Sequence, residues 1–314
     1  MLYYSQKKLN MIFIFCEVPS MAKTLLFIYN PRAGRTRSSA PLFEAVAHFG
    51  EAGYLVSLRQ TECQGHAAEL AEEEGPKFDR VVCCGGDGTL NETVSGLMRL
   101  DAPPPLGYIP GGSTNDFAAS LSLPADPVQA AEQIVTSEGK RLDVGTFNGR
   151  PFVYVASFGA FTKASYSASQ SIKNDLGHLA YILEGVRDLS TLRHYQATVT
   201  TEDEIFDGEF LFGAVTNSTS VGGLMKLHKE QVVLDDGLFE LLQIPNPASA
   251  AELQELIRCL ILQDFTGGGV IFRHVPSVTV ETPEGFPWTL DGEFGSGAEK
   301  VEIKNLRQRL NFLL

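Results

Sequence analysis

The sequence predicts an α/β protein: an N-terminal three-layer α/β domain on a parallel sheet, followed by a C-terminal β-rich, antiparallel sandwich-like domain, with a cleft between them. Three observations lead there. From Thr24 to about Thr114, short apolar runs alternate with amphipathic stretches across short connections, the pattern of parallel strands joined by helices. After about Lys140 strand-like segments dominate. The 314 residues also exceed what one ordinary core holds. The expected division is an extension or disordered tail at 1–20, an α/β domain at 21–141, a β-rich domain at 142–300, and a segment at 301–314 that returns to the first domain.

In order, the run Met11 to Phe15 behind Lys7 and Lys8 is too short for a signal peptide, and no clean cleavage site follows. Met21 opens a second start-like stretch, so 1–20 reads as upstream extension. Thr24–Tyr29 is a buried strand ending at Asn30-Pro31. Ser38–Gly50 is a helix with Leu42, Phe43, Val46 and Phe49 on one face. Tyr54–Gln60 is a strand, His66–Glu74 a helix, Arg80–Cys84 a strand, Thr89–Leu100 a helix and Leu106–Ile109 a strand; a further helix opens near Thr114. In the second half, Pro151–Ala156, Gln196–Thr200, Glu209–Val215, Leu238–Leu242 and Ser277–Glu281 read as strands, with helices near Leu179–Leu189 and Ala248–Leu262.

Composition narrows the function. Twenty-five basic residues against 38 acidic give a net charge of −13. Such a chain is unsuited to nucleic acid, whose binding depends on cationic neutralisation of phosphates, and to electrostatic adhesion to an anionic membrane. Any anionic ligand must be held by loop amides, helix ends or a metal. The cysteines Cys16, Cys63, Cys83, Cys84 and Cys259 have neither zinc spacing nor an even count, so the expected compartment is reducing and cytosolic. No run approaches the ~18 apolar residues of a membrane span. The six histidines are scattered, without metal or triad spacing.

The chemistry concentrates in loops. Gly85-Gly86-Asp87-Gly88-Thr89-Leu90-Asn91-Glu92 follows a strand and opens a helix. Glycines there permit a tight turn and a close ligand, and helix amides attract phosphate oxygens. Thr89 and Glu92 have capping-box spacing. Asp87 beside an anion site must meet a metal, accept a donor or act on a proton. The loop Pro110-Gly111-Gly112-Ser113-Thr114-Asn115-Asp116 repeats the design, and Ser113 with Asp116 repeats the spacing. The loop Asn30-Pro31-Arg32-Ala33-Gly34 ends the first strand; Arg32, Arg35 and Arg37 read either as a phosphate-facing cluster or as a solvated surface loop. Loops at the carboxyl ends of parallel strands share one crevice. The P-loop and Rossmann signatures are both missing. On its own, Asp291-Gly292-Glu293 reads equally as a functional turn at the cleft and as an ordinary acidic turn, and Asp235-Asp236-Gly237 is a common turn.

These residues resemble the bacterial diacylglycerol kinase-like lipid kinases, which are related in their catalytic domain to sphingosine and ceramide kinases. NPRAG at 30–34, GGDGTLNE at 85–92 and PGGSTNDFA at 110–118 carry the resemblance; LDVGTFNGRPFVYVASFGAF at 142–161, LGHLAYILEG at 176–185, VVLDDGLFEL at 232–241 and WTLDGE at 288–293 extend it over nearly all of 22–314. GGDGT alone also occurs, in close variants, in NAD kinases and phosphofructokinases; with the other loops it is specific.

The resemblance implies an ATP-dependent lipid kinase moving the γ-phosphoryl of ATP to the hydroxyl of diacylglycerol or a related lipid. It implies that Asn30, Pro31, Arg32, Ala33, Gly34, Thr61, the stretch Gly86, Asp87, Gly88, Thr89, Leu90, Asn91 and Glu92, and Ser113 hold ATP. Asp236, with the carbonyls of Val233 and Leu238, would bind Mg2+, and Glu293 would accept the hydroxyl proton. Asp87 is the second candidate catalytic carboxylate. Ala119 departs from the family, where many members carry Arg. The expected partners are ATP and a lipid at the membrane surface, visited transiently from the cytoplasm, with no nucleic acid; base rate suggests a homodimer. Two other classes are a soluble-substrate kinase of NAD kinase type, against which the Gly-Ser-Thr-Asn-Asp-Phe loop and the Asp-Gly-Glu turn argue, and a non-catalytic regulator, against which the full carboxylate set argues. Trp288 is expected to pack beside the turn, and Arg307 and Arg309 to lie on the surface or face a membrane.

Overall fold

A computed structural model describes residues 23–34, 39–159, 193–221, 225–265, 269–283, 285–295 and 297–314. Residues 1–20, Arg35, Arg37 and the expected helix at 179–189 lie outside them.

The first strand sets the layers. In β1 (Lys23–Tyr29), Leu25 to Ile28 are fully buried, Leu25 and Phe27 in one core and Leu26 and Ile28 in another. Side chains alternate across a strand, so this sheet is covered on both faces. One face carries α1 (Ser39–Glu51) and α5 (Pro127–Thr136), through Leu42, Ala45, Phe49 and Ile134. The other carries α2 (His66–Glu73) and α3 (Asp87–Leu97), through Leu70, Leu90, Val94 and Leu97. Phe43 departs from the expected buried face of α1: it is 60% exposed. The helix α5 escaped sequence reading, although Asp126 caps it by accepting from the Val128 and Gln129 amides and Pro127 stands at its first turn.

The parallel order is β2 (Tyr54–Gln60), β1, β3 (Arg80–Gly85), β4 (Leu106–Pro110). The antiparallel part holds β5 (Lys140–Phe147), β6 (Arg150–Phe152), β7 (Val155–Gly159), β8 (Tyr195–Thr200) and β9 (Ile205–Thr216). A small hairpin, β10 (Ser220–Val221) with β11 (Met225–Lys226), precedes β12 (Phe239–Pro245), and α6 (Ala250–Leu262) crosses to β13 (Ile271–Val275). The chain then forms β14 (Ser277–Glu281), β15 (Trp288–Leu290), β16 (Glu293–Gly295) and β17 (Lys300–Leu313). The expected strand at 151–156 is thus two strands with a break between them.

All but the small hairpin join one sheet, because β17 bridges its two parts. It pairs antiparallel with β14 and β5, then parallel with β4 through Phe312 and Leu313. Arg309 lies on this bridge and donates to the carbonyls of Met98 and Leu100, at the end of α3. The antiparallel part has its own core, in which Trp288 is 1% exposed and meets Phe147 and Phe158 edge-on.

Candidate active site

Three loops converge at the carboxyl ends of β1, β3 and β4. The Asn30 amide donates to Cys84 O, and its side chain donates to Thr89 Oγ1 at 3.1 Å. The Gly111 amide donates to Gly85 O at 2.7 Å. The two glycine loops touch: a Cβ on Gly112 would come 2.6 Å from Gly86 Cα, so any side chain there would push them apart. Asn115, left-handed at φ 54, staples its own loop by accepting from Gly112 N and donating to Gly112 O.

These loops enclose a cavity of about 390 Å³. Asn30, Arg32, Ala33, Gly34, Thr61, Gly86, Gly88, Thr89, Glu92 and Ser113, all expected to hold ATP, line it together with Glu293, the expected proton acceptor. Glu62, Cys63, Gln64 and Gly112 also line it and were missed. The first three follow β2 as the glycine loops follow β3 and β4, and that strand-loop-helix position was the available signal.

Other expected residues lie away from this cavity, and the expected helix caps differ. Leu90 is fully buried in the core between α3 and the sheet, so its side chain does not face the cavity. Pro31, Asp87 and Asn91 are not among its lining, and Asn91 instead donates to Asp291 Oδ2 at 2.6 Å. Neither capping box forms. α3 begins at Asp87 with Gly86 as its cap, which puts Thr89 inside the first turn. Glu92 accepts from the amides of Gly65 and Ala67, the start of α2. α4 (Asp116–Ser120) is capped by Asn115, and Asp116 Oδ1 accepts from Ser220.

A second cavity, of about 330 Å³, is lined by Asp87, Asp116, Tyr154, Ser157, Thr289, Asp291 and Glu293, among others. Asp87 meets one of the conditions set for it, because its carboxylate accepts from the Asp116 and Phe117 amides at 3.3 and 3.4 Å. Burial pushes the Asp87 carboxyl up to about 6, aided by the charges of Asp116 and Asp291 and opposed by those two amides. A third cavity, of about 570 Å³, is lined by Ser95, Met98, Arg99, Thr146, Arg150, Leu306 and Glu293, among others.

Glu293 borders all three. It opens β16 after a two-residue turn, Asp291 at φ 49 and Gly292 at φ 81, the Asp-Gly pairing that tight hairpins favour. The turn is not simply exposed, since Asp291 is 3% exposed. Its carboxylate accepts from the amides of Val153, Tyr154 and Val155 and from Asn91. Burial still raises the Asp291 carboxyl above its usual range, and the donors pull it back. On one side Glu293 Oε1 lies against the start of α3, where a Cβ on Gly88 would come within 3.0 Å. On the other, Oε2 is 3.7 Å from Arg150 Nη2.

Asp236, Val233 and Leu238 line none of these three cavities. They sit where Asp143 ties the chain together: its carboxylate accepts from Gly237 N, Asn305 Nδ2 and Gln308 N. Asp236 Oδ1 accepts from Leu238 N, and Leu238 O accepts from Asn305. Glu240 lies nearby at 1% exposure, and its Oε2 has no hydrogen-bond partner. Burial, with the charges of Asp236 and Asp143, pushes its carboxyl up to about 9. Among the described residues no cluster of three or more His, Cys, Asp or Glu forms a metal site, and no helix is long and apolar enough to cross a membrane.

The chain is similar to known proteins over most of its length. The diacylglycerol kinase catalytic domain family matches residues 24–147. A diacylglycerol kinase of Bacillus subtilis (strain 168) is 34% identical over 298 residues, 93% of this chain and 96% of that protein. One of Staphylococcus carnosus (strain TM300) is 31% identical over 292 residues, 92% and 94% of the two chains. A crystal structure of a putative diacylglycerol kinase from Bacillus anthracis str. Sterne superposes with a TM-score of 0.77 at 24% identity, over 95% of this chain and 98% of that one, which speaks for the fold.

Proposed function

Because the chain belongs to the diacylglycerol kinase family, we propose that it is a lipid kinase that transfers the γ-phosphoryl of ATP to the hydroxyl of diacylglycerol or a closely related lipid. The observation that carries the reading is the place of Glu293, a carboxylate at the meeting point of three cavities, one of them built from glycine loops.

Phosphoryl transfer is mostly positioning and charge neutralisation. Gly86, Gly88 and Thr89 line the loop cavity at the start of α3, where the free amides of a first helical turn suit phosphate oxygens. Asn30, Arg32, Gly34, Thr61, Thr89 and Ser113 complete its wall around ATP. In the transfer, the acceptor oxygen bonds to γ-phosphorus as the bridging oxygen–phosphorus bond breaks and ADP leaves. Glu293 takes the hydroxyl proton in that step. Asp87, held by the first amides of α4, fixes the acceptor side with its charge.

The Asp236 loop suits a hard cation. It offers a carboxylate and the backbone oxygens of Val233 and Leu238 beside an unpartnered buried oxygen of Glu240. These residues would hold Mg2+, whose charge would offset the oxygen-rich interior beside β5 and β17. The division of labour is part of the proposal: residues 21–141 hold the nucleotide, and residues 142–300 supply Glu293 and Asp236. So is a transient membrane visit from the cytoplasm, supported by Phe294, 64% exposed one residue beyond Glu293. A homodimer completes the proposal and is read by sedimentation equilibrium.

The test is purified protein with ATP, Mg2+ and a panel of micellar lipids, with NAD as the soluble competitor. A phosphorylated diacylglycerol supports the reading. Phosphorylation of NAD with no lipid product refutes it.

A further inference from the structure

We propose that Arg150 is a positioning residue for Glu293, holding its carboxylate in place for proton transfer; this rests on Glu293 being the proton acceptor. Arg150 opens β6 directly after the turn Asn148-Gly149, whose φ values are 47° and 82°. Such a turn fixes the hairpin. Asn148 locks it to β17: its amide donates to Glu302 O at 2.8 Å, and its Oδ1 accepts from Glu302 N at 2.7 Å. The root of Arg150 is therefore anchored on the bridging strand.

From that root the guanidinium reaches the largest of the three cavities and stands 3.7 Å from Glu293 Oε2. Arg99 lines the same cavity but is paired with Glu72 at 2.5 Å. The smallest cavity, with Asp87, has no Lys or Arg in its lining. Arg32 lines the loop cavity that Glu293 also borders, but the ion pair the structure records for Glu293 is with Arg150, at 3.7 Å.

Glu293 needs such a partner. Its carboxylate borders the cavity assigned to ATP phosphates, and like charges repel. An untethered side chain would swing away from them. Arg150 draws Oε2 to one side, leaving Oε1 on the side of Gly88 and the start of α3. At 3.7 Å the contact is a charge pair rather than a hydrogen bond, and both side chains are partly exposed, so its electrostatic worth is modest. Misplacement of the base, more than lost attraction, should set the cost, roughly tenfold in kcat.

The experiment is a double-mutant cycle with the full chain, ATP, Mg2+ and micellar diacylglycerol, using Arg150→Ala, Arg150→Lys, Glu293→Gln and the Ala/Gln double variant. Acting through Glu293, Arg150→Ala lowers kcat about tenfold with KM for ATP within about twofold, Arg150→Lys recovers part of the loss, and the double variant matches Glu293→Gln. If Glu293→Gln falls below detection, Glu293→Asp carries the cycle. If Arg150→Ala does not fold, Arg150→Gln takes its place. Multiplying losses in the double variant, a loss confined to KM for ATP, or wild-type turnover of Arg150→Ala would overturn the proposal. Normal turnover of Glu293→Gln would remove the proton-acceptor reading itself, whereas an inactive Glu293→Gln beside a fully active Arg150→Ala would remove only the role of Arg150.

Discussion

Asp291→Asn tests whether the turn that carries Glu293 is held as described. Each carboxylate oxygen of Asp291 takes two donors: Oδ2 from Val153 N and Asn91 at 2.7 and 2.6 Å, Oδ1 from Tyr154 N and Val155 N at 2.9 and 3.0 Å. An amide turns one of those oxygens into a donor. Whichever way it faces, two buried donors meet an NH2 group. Orphaning each costs about 1–3 kcal/mol. Against this, the variant no longer buries a negative charge, the burial that raises the Asp291 carboxyl. The net loss should be about 2–4 kcal/mol, a large share of the roughly 5–15 kcal/mol typical of a folded protein. The turn conformation is not at fault, because Asn tolerates the left-handed region. Urea unfolding should show a lower midpoint at unchanged slope, and kcat should fall because Glu293 rides on the same turn. An unfolding midpoint equal to that of the wild type would refute the reasoning.

Other predictions concern the loops. Asp87→Asn should keep the fold and lose most activity; an unfolded variant would favour a purely structural role. The pH dependence has a definite sign. Burial lifts the Asp87 carboxyl from its ordinary value of 3.8 to about 6, so its ionisation works against the folded state. Its contribution to stability is complete below pH ~4 and is lost as pH rises through ~6. The gap between wild type and Asp87→Asn measured by chemical denaturation should therefore move in favour of the variant between pH 4 and 7, by on the order of 2 kcal/mol; a constant gap would contradict the burial argument. Gly112→Ala places a methyl carbon 2.6 Å from Gly86 Cα and 2.7 Å from Asn115 Oδ1. It should raise KM for ATP about tenfold or more in steady-state assays with little change in the far-ultraviolet circular dichroism spectrum. Glu92→Ala should cost about 1 kcal/mol in thermal unfolding, because it uncaps α2 at Gly65 and Ala67.

What sequence could and could not reveal follows from the range of each interaction. The glycine loops were legible because each is local: an apolar strand, two glycines, a helix. β17 was legible only as a returning segment, for a definite reason. Val301 and Ile303 are buried, then the register shifts between Leu306 and Leu310, and Leu310 and Phe312 are buried instead. The alternation changes phase across this bulge, where Gln308 has φ 49 and its amide donates to Asp143. The pattern reads as broken although the strand continues. The capping boxes failed because both helices start elsewhere, at Gly86 and Asn115, while Glu92 accepts from another helix and Asp116 from Ser220, which spacing along one segment does not show. The turn could pass for an ordinary acidic one because Asn91, the side-chain partner of Asp291, is 200 residues away in the chain. Leu90 passed for a ligand-facing residue because it sits within the motif, while the helix turns its side chain into the core.

The central claim is that Glu293 takes the proton from the lipid hydroxyl. Glu293→Gln keeps the shape of the side chain and removes its basicity. Measured side by side, ATP affinity by isothermal titration and turnover with micellar diacylglycerol should separate: affinity within about twofold of wild type, kcat lower by about 10²-fold or more. Turnover near that of the wild type in this variant would contradict the account.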